Sequence, residues 1–268
     1  MGAISLRKGI ERSQNLATLD LARMIGLPRV IAFAHKLGLV AELRPKPALA
    51  LGASEVTPYD ITAGLATIAR GGMRMDPTPI RAIYDHRGVV QRAWVHPATR
   101  VVSPMSAYQL TSLMIGTIVT GRAHPVIDLG FTRPAAGKTG TTNDERDAWF
   151  VGFTPDYVTA VWLGYDHNEP LWRSGAQGAL PIWTAYNVGV HANRPTRDFP
   201  VPDGLTSQWV CATTGQLMSG QCPKSTKEWF RDGQVPKLGC TRDHTQDLVP
   251  AVADTLEPDT LLAPTTGH

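Results

Sequence analysis

Ala135-Ala136-Gly137-Lys138-Thr139-Gly140-Thr141-Thr142 sets one lysine among three threonines in a run of small residues. A compact cation beside short hydroxyl donors suits a carboxylate. Glycines in such a run let a ligand backbone approach a strand closely. Taken alone, the same run also reads as an edge strand with a solvated lysine. Far upstream stands Ser13-Gln14-Asn15, the one Ser-x-Asn of the chain, just before a helical pattern that starts at Leu16. By itself this pair reads as a helix cap. The order gives the two motifs their interest: Ser-x-Asn first, then Lys-Thr-Gly on a strand entering an antiparallel hairpin.

The elements that must position these residues follow from periodicity and punctuation. Leu16 to Ile25 and Pro28 to Leu37 read as two short helices, separated by Gly26 and closed by Gly38. Thr57-Pro58-Tyr59-Asp60 opens a third, with Thr57 as cap, Pro58 at the first helical position and Asp60 at the positive end of the dipole. Gly71-Gly72 ends it. Pro79 to Tyr84 and Val89 to Val95 flank Asp85-His86-Arg87-Gly88, a hairpin signal. Ser103-Pro104 starts a longer helix through Leu110, Met114 and Ile118 to Gly121. Strands follow at Ala135 to Thr142, Asp147 to Thr154 and Tyr157 to Tyr165, the last two joined by a turn at Pro155-Asp156. Apolar residues on both faces of the middle strand predict a sheet covered on both sides, and Gly178 to Val190 reads as a helix that could supply one cover. From His191 onward periodicity fades into a loop-rich tail. The expected fold class is α+β, an antiparallel sheet flanked by helices, with a first domain over 1–190 and the tail over 191–268.

Composition narrows the classes. The chain has 268 residues, 43% hydrophobic and 18% charged, enough to bury a sizeable core. A formal charge of +3, with scattered Lys and Arg, gives no footprint for nucleic acid. No stretch has the length of a membrane-spanning helix, and the N-terminal residues lack the apolar region of a signal peptide. The three cysteines, Cys211, Cys222 and Cys240, fall in the last quarter. Their clustering suits a disulfide in an oxidising compartment with one thiol over; free thiols in a reducing one fit equally. No Cys-x-x-Cys and no nearby His pair points to zinc, so no metal or cofactor is expected. His124, His167 and His191 read as solvated or loop histidines rather than ligands. Trp149 and Trp162 read as filling the sheet's flanks rather than stacking on substrate.

Four ordered segments carry a resemblance. Ser5 to Asn15, Leu49 to Pro58 (Leu-Ala-Leu-Gly-Ala-Ser-Glu-Val-Thr-Pro), Gly137 to Asp144 and Asp147 to Pro155 resemble, in that order, hallmark stretches of class A (bifunctional, 1A-like) penicillin-binding proteins. The likeness runs from about Ser5 to Asn187, with a looser match around Cys222 and Cys240, and corresponds to the C-terminal part of their transpeptidase domain. It implies acyl transfer on peptidoglycan stem peptides ending in D-Ala-D-Ala, with β-lactams as substrate mimics, on the periplasmic side of the inner membrane. Ser13 would relay a proton, and Asn15 would orient the nucleophile's lysine and bind the substrate amide. Lys138 would supply positive potential beside Ser13 and toward the terminal carboxylate. Thr139 and Thr141 would offer hydroxyls to that carboxylate across Gly140, and the Thr141 N–H would form half of an oxyanion hole. The family location also suggests a Cys222–Cys240 bridge, leaving Cys211 over.

The family's nucleophile comes from a Ser-x-x-Lys in which i, i+3 spacing puts serine and lysine on one helix face. The one Ser-x-x-Lys here is Ser5-Leu6-Arg7-Lys8. It lies immediately before Ser13, where the family's own pre-Ser-x-Asn helix opens, whereas the family nucleophile stands several dozen residues earlier. The expectation is therefore that the chain starts after the nucleophile and is inactive alone, with the anchor, the glycosyltransferase domain and the Ser-x-x-Lys helix upstream. A D-Ala carboxypeptidase or β-lactamase relative, and a non-catalytic remnant that binds peptidoglycan termini, are the competing readings. An unrelated α+β protein with coincidental motifs is the blandest.

Overall fold

The computed structural model describes residues 4–245. Its chain begins with helices α1 (Leu6–Glu11), α2 (Asn15–Ile25), α3 (Leu27–Leu37) and α4 (Pro58–Ala69). Short strands β1 (Met73–Arg74), β2 (Ala82–Tyr84), β3 (Val90–Ala93) and β4 (Thr99–Arg100) precede α5 (Pro104–Val119) and α6 (Pro125–Asp128). Then come β5 (Ala136–Thr141), β6 (Ala148–Phe153), β7 (Val158–Leu163), α7 (Ala179–His191), β8 (Leu205–Cys211) and β9 (Ser225–Arg231). Two compact units emerge: 4–207 with Glu228–Val235, and Gln208–Lys227 with 236–245.

In the first unit β5, β6 and β7 form an antiparallel sheet in that order, so β5 is an edge. Side chains alternate across a strand, which sends Phe150 and Phe153 of β6 to opposite faces. Both are fully buried. Phe150 packs with Phe131, Leu180 and Trp183, meeting the Trp183 ring edge-on at 5.1 Å. Phe153 packs with Ile68, Met114 and Ala136 from α4, α5 and β5. Each such aromatic contributes about 1.5–3 kcal/mol by leaving water. The sheet is thus covered on both sides, and the unit is α+β.

Local signals hold where the residues alone decide. Thr57 and Asp60 close a reciprocal capping box at the start of α4. Gly38 ends α3 in the left-handed region at φ 117°. The tail departs from the expectation of loops, because β8 and β9, seven residues each, pair as a two-stranded ribbon. Thr206, Trp209 and Val210, like Thr226, Trp229 and Phe230, are β-formers, but interleaved Ser, Gln, Lys and Glu on a half-buried surface hide their periodicity. His191 is not a solvated histidine. It is 2% exposed at the end of α7, with Nδ1 on Asn187 O (2.8 Å) and Nε2 on Thr154 Oγ1 (3.0 Å). Among the described residues no helix is long and apolar enough to cross a membrane.

One buried clamp fixes α1. The Arg7 guanidinium bonds both Glu228 carboxylate oxygens, Nε at 2.5 Å and Nη2 at 2.7 Å, and donates to Ser112 O of α5 at 2.9 Å. A fork-on-carboxylate pair sets orientation as well as distance. Gly116 of α5 lets α1 sit close, since a Cβ there would lie 2.0 Å from Glu11 Oε1.

Candidate active site

α1 stops in a left-handed turn that presents Ser13. Gln14 N–H reaches Gly9 O (2.9 Å) and Ser13 N–H reaches Ile10 O (3.1 Å), the two bonds of a Schellman closure with Ser13 at its left-handed position. Glycine usually occupies that place, yet Ser13 sits there at φ 52°. Arg122, just past α5, holds the turn: its N–H donates to Glu11 O (3.2 Å) and its Nε to Arg12 O (2.9 Å). No side chain of the Ser13-Gln14-Asn15 segment caps α2. Gln14 is the N-cap residue, with no side-chain cap bond, and Asn15 opens α2 with its side chain exposed.

Opposite stands β5, held to β6 in continuous register from Ala136↔Phe153 to Thr141↔Ala148. From beneath, Thr117 Oγ1 of α5 donates to Gly137 O at 2.6 Å. Alternation puts Lys138 and Gly140 on one face of β5, Thr139 and Thr141 on the other. Lys138 Nζ donates to Ser13 Oγ at 3.0 Å and to Thr139 O at 2.8 Å. Burial, and then the like charge of Arg122, pull the Lys138 ammonium down from 10.5 to about 8. A lysine so placed is charged at neutral pH and close to giving up its proton, next to a hydroxyl that can pass one on.

Thr141 Oγ1 accepts from Gly175 N–H at 2.9 Å. Gly175 lies so close to the strand that a Cβ on it would be 2.4 Å from both Gly140 O and Trp149 O. The glycines of β5 are explained by packing: a Cβ on Gly137 would meet the Phe150 ring at 2.7 Å, and one on Gly140 would meet Trp149 Cβ at 3.1 Å. Trp149 and Trp162 lie beside each other on the sheet, centroids 6.3 Å apart. The fold thus brings Ser13 and Lys138 into direct contact, with Thr139, Gly140 and Thr141 on the same edge strand. Arg122 and Gly175 were missed in the sequence, where no local pattern marks either.

Ser5 and Lys8 have a different part. Ser5 is the N-cap of α1, its Oγ accepting from Lys8 N–H at 3.2 Å. The bridge suggested for Cys222 and Cys240 is not formed: those two and Cys211 are all free thiols. In their own unit they converge on His244, with Cys240 Sγ 3.3 Å from its Nε2.

A helix-flanked antiparallel sheet whose Lys-Thr-Gly edge strand faces a Ser-x-Asn turn is the arrangement of the class that comprises penicillin-binding proteins and serine β-lactamases. Residues 1–179 match the penicillin binding protein transpeptidase domain, and 201–245 match the penicillin-binding protein 1A C-terminal domain. The chain belongs to the penicillin-binding protein transpeptidase family, on its 1A branch. It is 35% identical over 215 residues to penicillin-binding protein 1A of Neisseria lactamica, which covers 77% of this chain and 27% of that protein. The chain therefore spans under a third of the length of that relative. In structure it superposes on penicillin-binding protein 1A from Haemophilus influenzae with a TM-score of 0.79 and 24% identity, covering 88% of this chain and 41% of the other. Mycobacterium tuberculosis PonA1 in complex with penicillin V gives 0.65 and 23%, over 75% and 60%. Both structural likenesses speak to the fold.

Proposed function

We propose that this chain forms the substrate-carboxylate and proton-relay wall of a D-Ala-D-Ala transpeptidase site acting on peptidoglycan stem peptides. The observation that carries this reading is the 3.0 Å bond from Lys138 Nζ to Ser13 Oγ at the sheet edge. In the proposed reaction a serine hydroxyl attacks the penultimate D-Ala carbonyl, the terminal D-Ala leaves, and an amine of a neighbouring stem takes the acyl group. Ser13 passes the proton between the nucleophile and the leaving or incoming nitrogen. Lys138 keeps that hydroxyl polarised and holds positive potential toward the substrate carboxylate. Thr139 and Thr141 bond the carboxylate, Asn15 the substrate amide, and the Thr141 N–H the developing oxyanion. β-Lactams, as mimics of the same acyl-D-Ala unit, would take the same place; PonA1, similar in fold, is known in complex with penicillin V. The family acts on the periplasmic side of the inner membrane, and we assign this site there.

The attacking serine in this proposal is not Ser5. Its hydroxyl accepts the Lys8 N–H that starts α1, so serine and lysine meet through the backbone and not as a nucleophile and its base. The chain alone is then a binder without acylation. Two measurements test this. Calorimetric titration with a D-Ala-D-Ala peptide should show binding that Lys138→Met weakens by about tenfold or more, the value of one charge-assisted bond. Incubation with a fluorescent penicillin and denaturing electrophoresis should leave no labelled band. A band abolished by Ser5→Ala overturns the assignment of the nucleophile, and peptide binding indifferent to Lys138 overturns the wall.

A further inference from the structure

The described part of the second unit has almost no apolar core. Among its described residues the buried side chains are Val210, Cys211, Cys240 and His244. Two thiols and an imidazole at the centre of so short a pair of segments are a poor substitute for hydrophobic burial. Modules of this size usually depend on a disulfide or a metal.

Their arrangement chooses between the two. The sulfurs of Cys211, Cys222 and Cys240 and a ring nitrogen of His244 all lie within 4.8 Å of one another. His244 Nε2 is 3.3 Å from Cys240 Sγ and 3.5 Å from Cys211 Sγ. Four donors around one zinc ion, with bonds of about 2.3 Å to sulfur and 2.0 Å to nitrogen, stand about 3.5–3.8 Å apart along the edges of a tetrahedron. A disulfide would use two of the thiols and leave the third, with the imidazole, for no evident purpose.

Hydrogen-bond donors surround the sulfurs. Ser219 N–H lies 3.5 Å from Cys222 Sγ, and Thr214 Oγ1 donates to Cys240 Sγ at 3.4 Å. Amide donors folded back onto sulfur steady a coordinated thiolate and orient it. A groove lined by Gly220, Cys222, Pro223, Thr241, Asp243 and His244 opens the cluster to solvent and gives an ion a way in.

We propose that Cys211, Cys222, Cys240 and His244 form a tetrahedral structural zinc site that holds the second unit together. Three soft sulfurs and one imidazole select zinc over the hard cations. With four protein ligands the site is closed, and so structural rather than catalytic. Loading displaces the thiol protons to solvent and adds no redox step.

The test uses the full chain, without an affinity tag that binds metal. Elemental analysis should find one zinc per chain. Replacement by cobalt(II) should give a thiolate-to-cobalt charge-transfer band and the intense red absorption of a tetrahedral ion. Cys240→Ser and His244→Ala should each weaken zinc affinity by at least about tenfold. Should those variants fail to fold, the cobalt spectrum of the unaltered chain decides by itself. A folded chain with no zinc, no cobalt spectrum and an intact mass two hydrogens lighter than its reduced form has a disulfide instead and overturns the proposal. An octahedral cobalt spectrum overturns it equally.

Discussion

Lys138 Nζ donates to Ser13 Oγ across 3.0 Å, joining residues 125 positions apart in the chain. Both carry unfavourable local features: Ser13 has a left-handed backbone, and Lys138 is a cation that is half-buried near a second cation. Strain and desolvation concentrated on two polar residues in contact are common where chemistry sets the conformation.

The cost at Lys138 can be read from its pH dependence. The folded chain releases the Lys138 proton at about 8, against 10.5 for an ordinary lysine. Between those values the unfolded state holds more protons, so this group makes stability rise with pH; below about 8 its penalty is present in full. Lys138→Met removes it. The shift corresponds to about 3 kcal/mol, part of which the lost bonds to Ser13 and Thr139 offset, so at neutral pH the variant should melt about 2–4 °C higher, a net gain of about 1 kcal/mol. The gap from wild type should close and then reverse as pH climbs from about 8 toward 10.5, where the wild type recovers what the penalty cost and keeps its bonds. Scanning calorimetry of both proteins across that range reads the effect. A variant that melts lower by the same amount at every pH would show that the lysine carries no such cost.

Ser13 occupies a backbone position that glycine favours. Ser13→Gly should leave stability unchanged or raise it by about 0.5–1 kcal/mol, although the Lys138 bond is lost. Ser13→Val should lower it by more than about 1 kcal/mol, because a β-branched side chain resists positive φ. Urea unfolding separates the two. In any longer form of the protein that acylates, Ser13→Gly should cost about 10²–10⁴ in rate, the usual weight of a positioned proton carrier. Equal stability losses for glycine and valine would remove the strain from the account.

Gly175 is a third point of leverage, distant in sequence from the motif it supports. Gly175→Ala would drive a methyl into Gly140 O and Trp149 O, backbone atoms that cannot turn aside. The loop must lift, releasing the Thr141 hydroxyl from its 2.9 Å bond. The expected loss is about 1–3 kcal/mol of stability, with weaker D-Ala-D-Ala peptide binding in calorimetry. Thr141→Val breaks the same bond without crowding and should lose binding with less stability. A Gly175→Ala protein that unfolds at the wild-type urea concentration would falsify the close approach.

The helices around the site were legible because their signals are local. Thr57, Pro58 and Asp60 start α4, and Gly38 stops α3, through bonds that span a few residues. The edge strand was legible for the same reason: small and β-forming residues flanked by a turn leave few alternatives. The ribbon at Leu205–Cys211 and Ser225–Arg231 was not, since partly exposed strands with mixed polarity give no clean period. Histidine 191 was misread because a lone histidine looks the same in solvent as it does beneath Phe131 and Tyr157. The cluster of three thiols and an imidazole escaped because only the Cys240-x-x-x-His244 spacing is short; Cys211 and Cys222 reach it through chain reversals.

By itself, then, the sequence determined the type of strand that carries Lys138, the helices that buttress it, and the family to which four ordered segments belong. Tertiary structure alone decided that Lys138 meets Ser13, that burial and then Arg122 lower its affinity for a proton, that Gly175 holds Thr141, and that three thiols find one imidazole. The division has a physical cause. Caps, turns and periods are fixed by interactions within about one helical turn or one strand. Contacts across a hundred residues form only when burial of the sheet's two faces closes the intervening loops, and no short window of sequence records that closure.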